Sequence, residues 1–202
     1  MNVLFLFPNA RGMSLPPPAI GLFTALLKRE GHIVGLFDTS GYRIPGFEDE
    51  TRSREDKYHY TYTPQIPPGS NVEKALKRLE EIKKLDVLEE LAKKIQGFNP
   101  DLIAVSVTES TFLIGVYLIR EMKKRFKDLP LNIFGGVFPT FAPALAMRFP
   151  EVDMVCVGEG EKVLVEICRR MQVGADLFSI PGVWLRRKGE IIKNRMVPAL
   201  TS

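Results

Sequence analysis

Two stretches of the chain combine chemically useful side chains with glycines that let a ligand come close. Gly135-Gly136, followed by Thr140, ends the apolar run Leu131–Phe134, and Gly158-Glu159-Gly160-Glu161 follows the run Met154–Val157. A residue without a Cβ allows a tight turn or a close backbone approach to a bound molecule, and ligands of open α/β sheets bind where strands end in this way. Glu159 and Glu161 leave two readings open: an acid and a base, or carboxylates capping the helix that follows.

Few other residues offer chemistry. The two histidines are His32, at the start of an apolar run, and His59, in a charged stretch, which supplies neither a His-rich metal site nor a Ser-His-Asp triad. No G-x-x-x-x-G-K-[ST] loop is present, and no G-x-G-x-x-G follows the first apolar run. The two cysteines, Cys156 and Cys168, form no C-x-x-C and no iron–sulfur spacing, a usage that suits a reducing compartment and a cytoplasmic protein.

The elements that must position the glycine-marked ends follow from periodicity. Val3–Phe7, His32–Asp38, Asp101–Thr108, Leu131–Phe134 and Met154–Val157 read as five strands, the last two buried. Helices separate them: one from Pro18 carrying Ile20, Phe23, Leu26 and Leu27 on one face and stopped by Gly31, one over Phe112–Phe126, a short one over Pro143–Phe149 and one over Lys162–Met171. Asp86 with Glu89, and Ser70 with Glu73, open two more as capping boxes. Strand–helix–strand order of this kind makes a doubly wound, Rossmann- or flavodoxin-like α/β fold with a five-stranded parallel sheet. Gly182–Asn194 reads as a β-hairpin turning at Lys188-Gly189, appended to the sheet's edge or to something after it. The expected division is 1–178 for the Rossmann-like domain, with an insertion over 39–97, and 179–202 for hairpin and linker.

Composition agrees with this class. The chain has 202 residues, 45% of them hydrophobic, enough for a core, and its +4 net charge is interspersed, which argues for no nucleic-acid partner. Nothing approaches the ~18–20 apolar residues of a membrane span. Between Thr39 and Ser70 the pattern turns charged, aromatic and proline-rich; Tyr42, Phe47, Tyr58, Tyr60 and Tyr62 could cover a flat ligand or pack the loop onto the body.

In order and spacing, Pro16-Pro17-Pro18-Ala19-Ile20-Gly21-Leu22, Gly31-His32, Asp38, Pro100–Ser106, Gly135–Thr140 and Val157–Glu161 resemble a known family. The set is similar to the N-terminal cobalamin-binding domain of cobalamin-dependent radical SAM enzymes, a group of methyltransferases that also includes the anaerobic cyclase of magnesium-protoporphyrin monomethyl ester. The resemblance covers nearly the whole chain, including the hairpin. It implies a corrin lying across the C-terminal edge of the sheet, with the nucleotide tail in a slot beside the third and fourth strands. The residues it implies for cofactor binding are Asn9, Arg11, Gly12, Ser14 and Leu15 below the corrin, and Ser106, Thr108, Glu109, Gly135, Gly136, Phe138, Thr140, Gly158, Glu159, Gly160 and Glu161 around the tail. No metal-ligating or catalytic residue is expected.

Where many cobalamin domains carry Asp-x-His-x-x-Gly, this chain reads Asn9-Ala10-Arg11-Gly12-Met13-Ser14, so the resemblance implies base-off cobalamin without a histidine ligand. It also implies a C-terminal radical SAM partner domain holding SAM and a [4Fe-4S] cluster, since the chain has no C-x-x-x-C-x-x-C. By itself the chain is then expected to be a fragment or a stand-alone binding module. The alternatives are a scaffold domain of the same fold that has lost cobalamin and only docks partner domains, for which a side-chain-filled edge at Ser106 and Gly135-Gly136 would speak, and a flavodoxin-like nucleotide binder. Gly136→Leu is expected to block the slot while sparing the fold.

Overall fold

Uninterrupted apolar runs become strands buried on both faces, because helices cover both sides of a parallel sheet. In the computed structural model, which describes residues 1–9, 16–47, 77, 81 and 84–196, the first run forms β1 (Asn2–Phe7), and Val3 to Phe7 are each at most 4% exposed. Pro18 opens α1 (Pro18–Arg29), where its missing N–H costs no hydrogen bond, and Gly31, at φ 80°, turns the chain into β2 (Ile33–Asp38). Asp86 caps α2 (Val87–Phe98) by accepting from the Leu88 and Glu89 amides at 2.7 and 3.2 Å. Glu89 does not close the expected capping box; its carboxylate accepts from Arg125 instead, at 2.6 Å.

The chain continues through β3 (Leu102–Ser106), α3 (Glu109–Arg125) and β4 (Leu131–Gly135). A further short helix, α4 (Val137–Phe141), precedes the one expected over Pro143–Phe149, which is present as α5 (Pro143–Ala146). β5 (Met154–Cys156) and α6 (Glu161–Gln172) complete the parallel part. β6 (Val183–Arg187) and β7 (Glu190–Lys193) form the hairpin, with Lys188 and Gly189 both at positive φ, as a tight turn between twisted strands requires.

The sheet order is β2-β1-β3-β4-β5-β6-β7. The first five strands pair in parallel and the hairpin adds antiparallel to β5, so the appended element extends the same sheet. The helices α2 and α3 pack on one face and α1 and α6 on the other, each over its own apolar cluster. Tyr42 stacks on Phe37 at 5.5 Å and Phe47 packs against Tyr117 at 5.8 Å, so these two rings tie the segment after β2 onto the body. Tyr58, Tyr60, Tyr62, His59 and the Ser70 capping box lie outside the described residues.

At the N-terminal edge, polar side chains lock β4, β5 and α3 together. Asn132 donates to Asp153 at 2.6 Å, Lys123 pairs with Asp153 at 2.7 Å and Arg120 with Glu151 at 2.6 Å.

Candidate functional site

Reversal of strand order about β1 places a crevice at the C-terminal ends of the central strands, the general ligand position in such sheets. A cavity of about 330 Å³ opens there, between the sheet and the pair α1 and α6. Its floor is a row across three strands, Phe5 beside Ala104 and Ala104 beside Ile133. Ala104 is the small member of that row, and the space above it is open because its side chain is a methyl group. One step towards the edge, Ser106 aligns with Gly135, and a Cβ on Gly135 would meet only Cys156 Cβ, at 3.8 Å.

The remaining wall comes from loops and helices. Phe23 of α1 stacks on Phe5 with ring centroids 6.2 Å apart, and a Cβ at Gly160 would lie 3.0 Å from the Phe23 ring, so the turn before α6 approaches α1 closely because it is glycine. Thr140 accepts a hydrogen bond from the Gly158 amide at 3.2 Å, which joins the two glycine-marked strand ends. Val137 and Phe141, 60% and 84% exposed, form an apolar lip at the mouth. Glu161 also lines the cavity, and its Oε2 is buried without a hydrogen-bond partner among the described residues.

Eight of the residues singled out in the sequence come together here: Ser106, Gly135, Gly136, Thr140, Gly158, Glu159, Gly160 and Glu161. Gly160 takes the N-cap position of α6, so neither flanking carboxylate is the cap. Phe138 is turned away, its ring 4.5 Å from that of Phe112 in the opposite layer. Thr108 caps α3 and takes the Thr111 hydroxyl as partner for its amide at 3.0 Å, with Glu109 in the first turn. Asn9 is fully buried; its amide N–H donates to Thr39 Oγ1 at 2.7 Å and its Nδ2 to Ser40 Oγ at 2.8 Å, which ties β1 to the loop after β2. Arg11, Gly12, Ser14 and Leu15 lie outside the described residues. Sequence reasoning missed Phe5, Ala19, Phe23, Ala104, Ile133 and Leu164. Ala104, the small residue inside the apolar run Leu102–Val105, was the available signal.

One expectation is corrected. Gly136 has φ 120°, and a Cβ there would lie 2.1 Å from the Val107 carbonyl oxygen. The position has no room for any side chain, so Gly136→Leu attacks the fold before it blocks a slot.

Burial, then the charge of Glu161, pushes the Cys156 thiol up to about 12, and burial pushes Cys168 up to about 11. Thiolate is the nucleophile, and at pH 8 a thiol titrating near 12 is ionised in roughly one part in ten thousand. Native protein is therefore expected to react with neither equivalent of Ellman's reagent until unfolded in guanidinium, when both respond; a fast-reacting native thiol would contradict this environment. His32, 5% exposed, sits at the far edge beside Met1, and burial followed by the amino-terminal charge lowers its pKa.

Residues 71–168 match the B12 binding domain family. Among curated proteins the chain is 30% identical over 103 residues to an uncharacterized methyltransferase of Pyrococcus horikoshii, covering 50% of this chain and 22% of that protein. It is 25% identical over 114 residues to the anaerobic magnesium-protoporphyrin IX monomethyl ester cyclase of a Synechocystis species, covering 55% and 23%. The chain thus spans under a quarter of the curated relatives it matches. Among solved structures, the cobalamin-dependent SAM radical enzyme OxsB, with aqua-cobalamin and SAM bound, superposes with a TM-score of 0.65 at 16% identity over 98% of this chain and 22% of its own. The radical SAM methyltransferase TsrM of Kitasatospora setae, with cobalamin and a [4Fe-4S] cluster bound, gives 0.66 at 18% identity over 100% and 30%. At these identities the two likenesses establish the fold, and they extend it over the part before residue 71.

Proposed function

We propose, on the premise that residues 71–168 are a B12 binding domain in a chain folded throughout like the cobalamin-binding module of radical SAM enzymes, that this chain holds base-off cobalamin for a separate catalytic domain. The carrying observation is the cavity. A scaffold that had lost its cofactor would fill the edge at Ser106 and Gly135 with side chains, whereas about 330 Å³ stands open there. Ligand pockets of this size class are largely apolar with a few placed polar groups, and Phe5, Phe23, Ala104 and Ile133 against Ser106, Thr140 and Glu161 answer that description.

In this reading the cavity takes the nucleotide tail, and the apolar lip of Val137 and Phe141 faces the corrin and shields it from water. Bound cobalamin supplies methyl-transfer or related radical chemistry. The chain's own residues bind and orient: Thr140 and Gly158 hold the two strand ends together, and the glycines let backbone approach the ligand. No group here is assigned an acid–base role. SAM and a [4Fe-4S] cluster belong to a C-terminal radical SAM domain of a methyltransferase or cyclase, in keeping with two buried cysteines, 156 and 168, that offer no cluster loop. Free buried cysteines also suit a cytoplasmic setting. Among the described residues no helix is long and apolar enough to cross a membrane.

Titration with hydroxocobalamin is expected to shift its visible spectrum and leave corrin bound after desalting. An unchanged spectrum with no retained corrin would favour the scaffold reading.

A further inference from the structure

We infer that Glu161 makes the cavity selective for corrinoids whose tail base carries a hydrogen-bond donor, an adenine or a hydroxylated benzimidazole, over those with dimethylbenzimidazole. The inference rests on the corrinoid reading above and adds the class of tail to it. Its basis is the carboxylate oxygen Oε2 of Glu161, buried at a cavity wall and lacking any hydrogen-bond partner among the described residues. Buried polar atoms are nearly always paired, and an orphan in a ligand cavity asks what the ligand brings.

The neighbouring groups do not meet the need. The Cys156 thiol is directed to the Glu159 carbonyl at 3.9 Å, and Thr140 Oγ1 takes the Gly158 amide. The other cavity residues near α1 and α6, Phe5, Phe23 and Leu164, have no polar side-chain atom to offer. A carboxylate oxygen accepts hydrogen bonds, so the missing partner is an N–H or O–H. The exocyclic amine of adenine and the hydroxyl of a hydroxybenzimidazole each present one from the ring. The ring of a nucleotide-linked dimethylbenzimidazole presents methyl groups, and its entry would leave Oε2 desolvated and unpaired. A site built around a polar contact rejects the analogue that lacks it more strongly than a purely apolar site would.

The test compares equilibrium retention of adeninyl, hydroxybenzimidazolyl and dimethylbenzimidazolyl cobamides, all in the same cobalt state, by ultrafiltration read at the visible corrin band. The natural chain is expected to hold the first two roughly tenfold more tightly than the third, the scale of one hydrogen bond to a charged group. Glu161→Leu is expected to erase the preference, and Glu161→Gln, which keeps a carbonyl acceptor, to retain part of it. Thermal melting establishes that each variant is folded; should Glu161→Leu fail to fold, the ranking by the natural chain and by Glu161→Gln decides. Equal affinity for all three would overturn the inference and leave the corrinoid reading standing. The inference is overturned in the same way if Glu161→Leu weakens all three equally, because the donor would then be a corrin amide or the ribose common to them. Retention of none would overturn both.

Discussion

Gly136→Leu is expected to lower the melting temperature by about 10 °C or more, with loss of cobalamin binding following from loss of the folded edge. The cause is local and steric. At φ 120° an L-residue is strained, and its Cβ would lie 2.1 Å from the Val107 carbonyl oxygen, far inside contact distance. The neighbouring hydrogen bond, from the Val107 amide to the Gly135 carbonyl at 2.9 Å, extends the β3–β4 pairing past its last ladder residues, so the backbone cannot retreat without opening the sheet. Strain and overpacking of this kind each cost about 1–3 kcal/mol, and 1 kcal/mol shifts the melting of a chain this size by roughly 2–4 °C. The contrasting variant is Gly135→Leu. Gly135 has an ordinary φ, its Cβ would make only a 3.8 Å contact with Cys156, and it lines the cavity. Its melting temperature is expected to stay within about 3 °C of the natural chain while cobalamin affinity falls roughly a hundredfold, about 2.8 kcal/mol. Calorimetry and the hydroxocobalamin titration read the two effects separately. Unchanged affinity in folded Gly135→Leu would move the tail out of this cavity.

The pair also shows where sequence reasoning ends. Both glycines follow an apolar strand, and both read as places where a ligand comes close. Which of them needs its positive φ, and which merely leaves space, depends on how β3 lies against β4, and adjacent letters do not carry that. The strands themselves were legible because a residue buried on both sides of a parallel sheet leaves an unbroken apolar run, as Val3–Phe7 does. The hairpin was legible because Lys188-Gly189 supplies the two positive φ angles its turn requires. The cavity floor was not. Ala104 looks like one more core residue between Ile103 and Val105, and it becomes a floor only when register sets it between Phe5 and Ile133. Phe138 failed in the opposite way. It sits in the right loop, but α4 begins at Val137, so Val137 and Phe141, four apart, share the outward face while Phe138 turns to Phe112. The glycine-rich ends were found because glycine acts through its own backbone; the apolar wall was missed because it is assembled from three strands and two helices distant in sequence.

Cobalt in the bound cofactor is expected to be base-off and free of a protein imidazole. His32 is the histidine among the described residues, and it begins the turn into β2 at the N-terminal edge, where the Ile33 amide donates to the Met1 carbonyl at 2.9 Å. The six residues of β2 separate it from the C-terminal edge by about 20 Å at the usual rise per residue. It is also 5% exposed, packed at that edge with burial lowering its pKa, and has no path to a ligand at the other edge. A tail base seated in the cavity, as proposed, would be withheld from the metal as well. The cob(II)alamin complex should therefore show a base-off optical spectrum, and its electron paramagnetic resonance should show cobalt hyperfine lines without nitrogen superhyperfine splitting. His32→Ala and His59→Ala should leave both spectra unchanged. Nitrogen splitting that disappears in either variant would identify a histidine ligand and overturn this assignment, while splitting that survives in both would place the tail base on cobalt and empty the cavity of its proposed occupant.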